Sequence, residues 1–313
     1  MKVLLADTVH PELPQGLQSL GFTVEEDYQS SAQELAPKMD RYTGLIIRSR
    51  FPVDLDFIQN CTRLQFIGRV GAGMENIDLE AARSRGIAVL NAPEGNRNAV
   101  GEHALGMLLM LMNNLRIADA EVRSGIWKRE ANRGYELEGK TVGIIGYGQM
   151  GSSFAEKLRG FDVRILAYDK YHQGFENEQV KECSLEQLQR EADVISFHVP
   201  QTPETIHYFD DDFLDRLLRP VYLINTARGK VVRTSTVVKG LKEEKIRGAC
   251  LDVLEYEKSS FEEFFTGDMP LDLQYLLASD KVILSPHIAG WSHESNEKMA
   301  RTIVNKVASL NLW

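Results

Sequence analysis

Long apolar runs are missing from this chain of 313 residues: the longest, Ala104-Leu105-Gly106-Met107-Leu108-Leu109-Met110-Leu111-Met112, has nine, far short of the ~20 that a membrane-spanning helix needs. The N-terminus is no greasier. Met1-Lys2-Val3-Leu4-Leu5-Ala6 reaches Asp7 at once, which leaves no signal-peptide core. Cysteine is scarce, and Cys61, Cys183 and Cys250 are odd in number and far apart. That excludes a disulfide framework and the spacing of a zinc site, and is what core thiols of a reducing compartment look like. Positive charge is in deficit, with 36 Lys and Arg against 45 Asp and Glu, a net charge of −9 and a pI near 5.4. A broad nucleic-acid or anionic-membrane surface is thereby excluded, although a few local arginines can still hold an anionic small molecule. Low-complexity segments are absent too. The expectation is a cytoplasmic protein with no metal, nucleic-acid or membrane partner.

What is present is an alternation of apolar runs and helical stretches. Val3–Ala6, Phe22–Val24, Leu45–Ile47, Phe66–Val70 and Ile87–Leu90 form a first series of strands with helices between them, the pattern of parallel α/β structure. A second series, Val142–Ile145, Val163–Ala167, Val194–Phe197, Val221–Ile224, Gly248–Leu251 and Val282–Leu284, supplies six strands, the number of a doubly wound dinucleotide domain. Asn98–Arg123 reads as one long helix without proline. Asn91-Ala92-Pro93-Glu94-Gly95-Asn96 before it is loop chemistry, so a domain crossing is placed there. At the other end, Ser292–Leu310 carries apolar residues at Met299, Ile303, Val307 and Leu310, a helical stripe expected to pack back onto the first domain. The chain length itself predicts two domains.

The most specific motif opens the second series. Gly146-Tyr147-Gly148-Gln149-Met150-Gly151 follows the run Thr141–Ile145, precedes a helical stretch over Ser152–Arg159, and has Asp169 at the end of the next strand, 18 positions after Gly151. Strand, turn, helix and acid together are the context that a dinucleotide fingerprint requires. Gly146 permits the tight turn, Gly148 lets backbone N–H groups approach a pyrophosphate, and Gly151 lets the helix sit close to the strand with its N-terminal dipole toward the anion. Asp169 would accept from a ribose diol and repel a 2′-phosphate, which favours NAD over NADP. A rival turn, Val70-Gly71-Ala72-Gly73-Met74-Glu75-Asn76, sits in the first series, but its next strand ends at Asn91 with no carboxylate. That turn is left to present N–H groups to a smaller anion such as a carboxylate.

Three ionisable residues stand at strand ends of the second series: Arg228 in Asn225-Thr226-Ala227-Arg228-Gly229, Glu257 in Leu251-Asp252-Val253-Leu254-Glu255-Tyr256-Glu257, and His287 in Leu284-Ser285-Pro286-His287. Ligands of open α/β sheets bind beyond the carboxyl ends of the strands. Hydride transfer to a carbonyl needs a proton donor beside the oxygen and a cation on the carbonyl and its neighbouring carboxylate, the chemistry of His287 and Arg228. A carboxylate would orient the histidine ring. Glu257 suits that role, with Glu255 and Asp252 close by as alternatives.

The ordered set Gly146–Gly151, Asp169, His198-Val199-Pro200 with Thr202 and Thr205, Asn225–Gly229, Leu251-Asp252-Val253 and Ser285-Pro286-His287 resembles the D-isomer-specific 2-hydroxyacid dehydrogenases over nearly the whole chain. The resemblance implies a doubly wound Rossmann NAD domain at 98–287, inserted into a smaller flavodoxin-like α/β substrate domain made of 1–97 and 288–313, and a homodimer formed largely through the NAD domain. It implies Arg228 as the group binding substrate carboxylate and carbonyl, His287 as the acid/base group and Glu257 as its partner. NAD would meet Gly146 to Gly151, Asp169, His198, Val199, Pro200, Thr205, Thr226, Ala227, Asp252 and Gly290. The substrate, a small anionic 2-hydroxy or 2-oxo acid, would meet Gly71, Ala72, Gly73 and Asn98. One departure concerns Glu257: the family's glutamate is commonly followed by proline, whereas Lys258 and an acidic, Phe-rich stretch over Ser259–Asp268 follow here.

Arg48 and Arg50 have the i, i+2 spacing that points two side chains to one side of an extended segment, and paired guanidinium groups suit phosphate. The resemblance then implies D-3-phosphoglycerate, oxidised to 3-phosphohydroxypyruvate in serine synthesis. The alternatives are glyoxylate/hydroxypyruvate or D-lactate, or a non-catalytic protein that senses NAD. With no regulatory domain after Trp313, serine feedback through such a domain is not expected.

Overall fold

The structure, a computed structural model, describes residues 1–257 and 269–312. Lys258 and the Ser259–Asp268 stretch lie outside them. The described chain divides into two compact units, Met1–Arg97 with residues 291–312, and Asn98–Glu257 with residues 269–290. The second division falls at Gly290 rather than before Ile288. The cause is local: the N–H groups of Ile288 and Ala289 donate to the Asp252 carboxylate of the second unit.

The first unit holds β1 (Lys2–Leu5), β2 (Thr23–Glu26), β3 (Gly44–Ile47), β4 (Phe66–Arg69) and β5 (Ala88–Leu90), in the order β2-β1-β3-β4-β5 and parallel throughout. Alternate side chains feed two cores, so both faces of the sheet are covered: Leu4, Leu45 and Ile47 on one side, Val3, Leu5 and Ile46 on the other. Met299, Ile303 and Val307 of the His293–Ala308 helix pack into the second of these cores. Ser292 caps that helix by accepting from Ser295 N–H, so the expected C-terminal stripe is a helix of this unit.

The second unit contains β6 (Thr141–Ile145), β7 (Arg164–Tyr168), β8 (Val180–Glu182), β9 (Val194–Phe197), β10 (Val221–Asn225), β11 (Ile246–Leu251) and β12 (Val282–Leu284). They run parallel in the order β12-β11-β10-β9-β6-β7-β8. The sequence predicts six of these; β8, Val-Lys-Glu, has one apolar residue and no run to announce it. Pairing of β6 with both β7 and β9 makes the strand before the glycine fingerprint the point where strand order reverses, the switch point at which open α/β sheets bind ligands. On β10, Leu223 enters one core while Tyr222 and Ile224 enter the other. Each buried aliphatic side chain contributes about 1.5–3 kcal/mol, which makes β10 a rigid base for the residues that follow it.

The single helix expected over Asn98–Arg123 is two helices, Pro93–Met112 and Leu115–Arg123. Asn114 between them is left-handed at φ 53°, a conformation that asparagine tolerates better than most residues. Among the described residues no helix is long and apolar enough to cross a membrane, and no cluster of His, Cys, Asp or Glu could hold a metal ion. All three cysteines are free. Cys61 and Cys250 are buried and Cys183 is half-buried; burial pushes the Cys61 thiol up to about 12 and the Cys183 thiol up to about 11.

Candidate active site

The fingerprint turn has the shape a dinucleotide requires. Gly146 is left-handed at φ 91°, and a Cβ there would lie 2.6 Å from His198 O; a Cβ on Gly151 would lie 2.0 Å from Gly146 O. By contrast, a Cβ on Gly148 would meet no atom within 4 Å, so that position opens outward. Gly148 precedes the Gln149–Lys157 helix without any side-chain cap, so the positive end of the helix dipole lies at the turn, where an anion is favoured. Tyr147 stacks on Phe175 at 4.5 Å between ring centroids, which braces the turn from the side.

Asp169 follows β7 as expected, but its carboxylate is more occupied than the sequence suggests. It accepts from Tyr147 N–H at 2.8 Å through one oxygen and from Tyr171 and His172 N–H, both at 2.9 Å, through the other. A carboxylate has about four lone-pair sites, so capacity for one further hydroxyl remains on the oxygen facing Tyr147. The 198–205 loop is held by its own groups: Thr205 Oγ1 donates to Pro200 O at 2.6 Å and accepts from Thr202 N–H at 2.8 Å. Thr205 therefore shapes this loop, and its hydroxyl is not left for a cofactor. His198 shares a hydrogen with Ser196 at 2.8 Å, and burial lowers its pKa to about 3. Its ring lies 5.5 Å from that of Phe154, and a Cβ on Gly146 would lie 2.9 Å from Val199 Cγ1, so this loop backs the glycine turn. Thr226 Oγ1, after β10, is buried with no hydrogen-bond partner. An orphaned hydroxyl at a strand end, the open turn and Asp169 together fit a bound dinucleotide.

Arg228, Glu257 and His287 follow β10, β11 and β12, three neighbouring strands, at their carboxyl ends. Arg228 donates through Nη1 to Ala227 O at 2.6 Å, and its own carbonyl accepts from Asn225 Nδ2 at 3.0 Å. Gly229 must be glycine here, because a Cβ would lie 1.9 Å from Leu254 O. His287 Nδ1 lies 2.8 Å from Glu257 Oε2, with both side chains about four-fifths buried. The other oxygen of Glu257 accepts from Leu254 N–H. Glu255, two residues earlier, turns instead to His207 Nε2 at 2.7 Å and to Thr234 N–H at 2.5 Å.

Asp252 is not the partner of the His287 ring, which faces Glu257. Its side chain is 1 % exposed and both oxygens are used, one by Ser285 Oγ at 2.5 Å and Ile288 N–H at 2.9 Å, the other by Ala289 N–H at 2.9 Å. The Asn98 side chain accepts from Lys157 at 2.5 Å and donates to Glu102 at 2.6 Å. That ties it to the helix following the glycine turn. Gly290 closes this unit, next to Ala289.

In the first unit the expected substrate groups are placed differently from their sequence pattern. β3 ends at Ile47, and residues 48–50 bend around Asp7, whose Oδ2 accepts from the N–H groups of Arg48, Ser49 and Arg50 at 2.6, 3.2 and 3.3 Å. In the bent segment the two guanidinium groups have different neighbours. Arg48 lies 4.2 Å from the centroid of the Trp291 ring, whereas Arg50 lies 5.0 Å from Phe51 and donates to Asp27 O at 3.0 Å. At the other turn Gly71 N–H is spent on Arg69 O at 2.9 Å. The N–H groups of Ala72 and Gly73 have no partner among the described residues. Arg69, unremarked in the sequence, folds over this turn: a Cβ on Gly71 would collide with its guanidinium. A strand-end arginine running into Gly-Ala-Gly is the signal that could have marked it.

Residues 105–289 match the family described as D-isomer specific 2-hydroxyacid dehydrogenase, NAD binding domain. A D-3-phosphoglycerate dehydrogenase of Archaeoglobus fulgidus is 34% identical over 312 residues, 99% of this chain and 57% of that protein. A glyoxylate reductase of Pyrococcus furiosus is 34% identical over 292 residues, 90% of this chain and 83% of that protein. The chain thus spans little more than half the length of the first relative and most of the second. Among solved structures, a D-lactate dehydrogenase from Aquifex aeolicus complexed with NAD and lactic acid superposes with a TM-score of 0.83 at 27% identity, covering 99% of this chain and 95% of that one. With a fingerprint turn at the switch point and a family match over more than half its length, the chain belongs to the D-isomer-specific 2-hydroxyacid dehydrogenases.

Proposed function

We propose that the chain is an NAD-dependent dehydrogenase of small D-2-hydroxy acids, with D-3-phosphoglycerate as first substrate and 3-phosphohydroxypyruvate as product, a step of serine synthesis in the cytoplasm. The observation that carries this reading is the pair of His287 Nδ1 and Glu257 Oε2 at 2.8 Å, beside the Arg228 strand end and on the same sheet as the fingerprint turn. An ionised carboxylate only accepts, so the Nδ1 hydrogen faces Glu257 and Nε2 is the nitrogen that exchanges a proton with the substrate oxygen. In the oxidative direction Nε2 removes the hydroxyl proton, and Glu257 stabilises the imidazolium that forms. Arg228 offers a fork of donors to the substrate carboxylate and the developing carbonyl. NAD, when bound, supplies the hydride acceptor. In the first unit, the N–H groups of Ala72 and Gly73 are those assigned to a small anion such as a carboxylate.

At the phosphate end, Arg48 is the side chain assigned to recognition. The backbone N–H groups of residues 48–50 are filled by Asp7, so an incoming anion meets side chains there and not a vacant backbone nest. Arg50, turned to Asp27, favours a second reading, a glyoxylate/hydroxypyruvate reductase that recognises no phosphate. A homodimer goes with either reading. None of the residues of the amphipathic Leu115–Arg123 helix is buried, and Leu115, Val122 and Trp127 are 53%, 51% and 78% exposed, which leaves an apolar face for a second copy.

Replacement of His287 by Ala and of Arg228 by Ala tests the assignment. Loss of about 10²–10⁴-fold in turnover is expected for His287→Ala with NADH affinity retained, and a KM rise for every 2-hydroxy acid is expected for Arg228→Ala. Turnover within about twofold of the parent in His287→Ala removes the acid/base role.

A further inference from the structure

We propose that His103, acting through Ser285, is a positioning residue that fixes the backbone turn carrying His287. His287 sits at φ 54°, a left-handed conformation that costs a non-glycine residue free energy and persists only where its surroundings determine it. What determines it here is Asp252. The N–H of His287 donates to Asp252 O at 2.7 Å, and the next two N–H groups, of Ile288 and Ala289, donate to the two carboxylate oxygens, both at 2.9 Å. One buried aspartate therefore holds three successive N–H groups of the turn.

The aspartate is held in its turn. Ser285 Oγ lies 2.5 Å from Asp252 Oδ1 and 2.9 Å from His103 Nε2. A hydroxyl has one hydrogen and an ionised carboxylate only accepts, so that hydrogen belongs to Asp252. His103 must then donate, which places a hydrogen on its Nε2. The same nitrogen is 3.5 Å from Asp252 Oδ1, and Met107 Sδ, one turn along the Pro93–Met112 helix, contacts Ser285 Oγ at 3.7 Å. The relay runs from a helix residue through Ser285 and Asp252 to the turn at 287–289. It is separate from the Glu257 contact, which orients the ring rather than the backbone. Its value for turnover rests on the acid/base reading of His287; the geometry of the turn does not.

The test compares the parent chain with His103→Leu, which cannot donate, and His103→Gln, whose amide can. Amide hydrogen exchange of Ile288 and Ala289 reads the turn without reference to any substrate. In His103→Leu these amides should exchange about tenfold faster, the size expected when one supporting hydrogen bond is lost from a local opening equilibrium. Amides of β10 should keep the parent rate, and His103→Gln should restore protection. Turnover of the D-2-hydroxy acid should fall with the loosened turn while KM changes little. Turn amides as protected in His103→Leu as in the parent, loosening that extends equally to β10, or failure of His103→Gln to restore protection overturns the relay. Should the parent oxidise no hydroxy acid, the exchange measurement still decides it.

Discussion

Glu257→Gln isolates what the carboxylate does for His287, because it changes acceptor number and little else. In the parent two donors converge on two oxygens: His287 Nδ1–H on Oε2 and Leu254 N–H on Oε1. Glutamine has one acceptor oxygen and one NH₂ group, so it cannot satisfy both. If its oxygen keeps Leu254, the NH₂ faces Nδ1, and the ring must move its hydrogen to Nε2, where a base needs a lone pair. If its oxygen keeps Nδ1, the NH₂ faces a backbone N–H in a largely buried site, leaving a donor unsatisfied at about 1–3 kcal/mol. The first arrangement avoids that cost and is the one expected. Oxidative turnover should then fall about 10²–10⁴-fold, the worth of a general base, with NADH affinity by fluorescence titration unchanged. Turnover of Glu257→Gln within about threefold of the parent, a difference under 1 kcal/mol, would refute the tautomer argument.

Four further outcomes follow from the same geometry. Asp169→Ala should raise affinity for NADPH relative to NADH in direct binding, since a carboxylate that repels a 2′-phosphate is gone; an unaltered ratio removes Asp169 from cofactor choice. Arg48→Ala should raise the KM for D-3-phosphoglycerate about tenfold or more, the worth of a charge-assisted hydrogen bond, and leave D-glycerate nearly unaffected. Arg50→Ala should instead lower the melting temperature by a few degrees, as loss of one hydrogen bond and a ring contact implies, with KM unmoved; the opposite pattern of the two variants would exchange their roles. His198 has a folded pKa of about 3 and an ordinary unfolded one near 6.5. Between those values the unfolded chain binds the extra proton, so stability falls as pH falls, by up to about 1.4 kcal/mol per unit. His198→Phe should flatten that slope, and an unchanged slope would show that His198 is not its source.

Much of this could be read from the residues in order. Among the described residues the apolar runs mark eleven of the twelve strands, because a strand covered on both faces must be apolar nearly throughout. The glycine turn was legible for a similar reason, since backbone contacts at Gly146 and Gly151 admit no Cβ. What escaped depends on distant partners. Arg48 and Arg50 read as extended until Asp7, 41 and 43 residues earlier, winds the segment around its carboxylate. Spacing could not choose among Asp252, Glu255 and Glu257 for His287, because each carboxylate is claimed by a donor on another element. The break at Asn114 needed only a left-handed residue in a pattern that stays apolar through Met112.

The most direct test is the initial rate of NADH formation by the parent chain with D-3-phosphoglycerate, D-glycerate and D-lactate, each beside its L isomer. NADH should form with D acids only, fastest with D-3-phosphoglycerate. Faster oxidation of D-glycerate would pass the site to the unphosphorylated reading, and no NADH from any D acid, or equal rates with the L isomers, would contradict the assignment of Arg228, Glu257 and His287 to this chemistry.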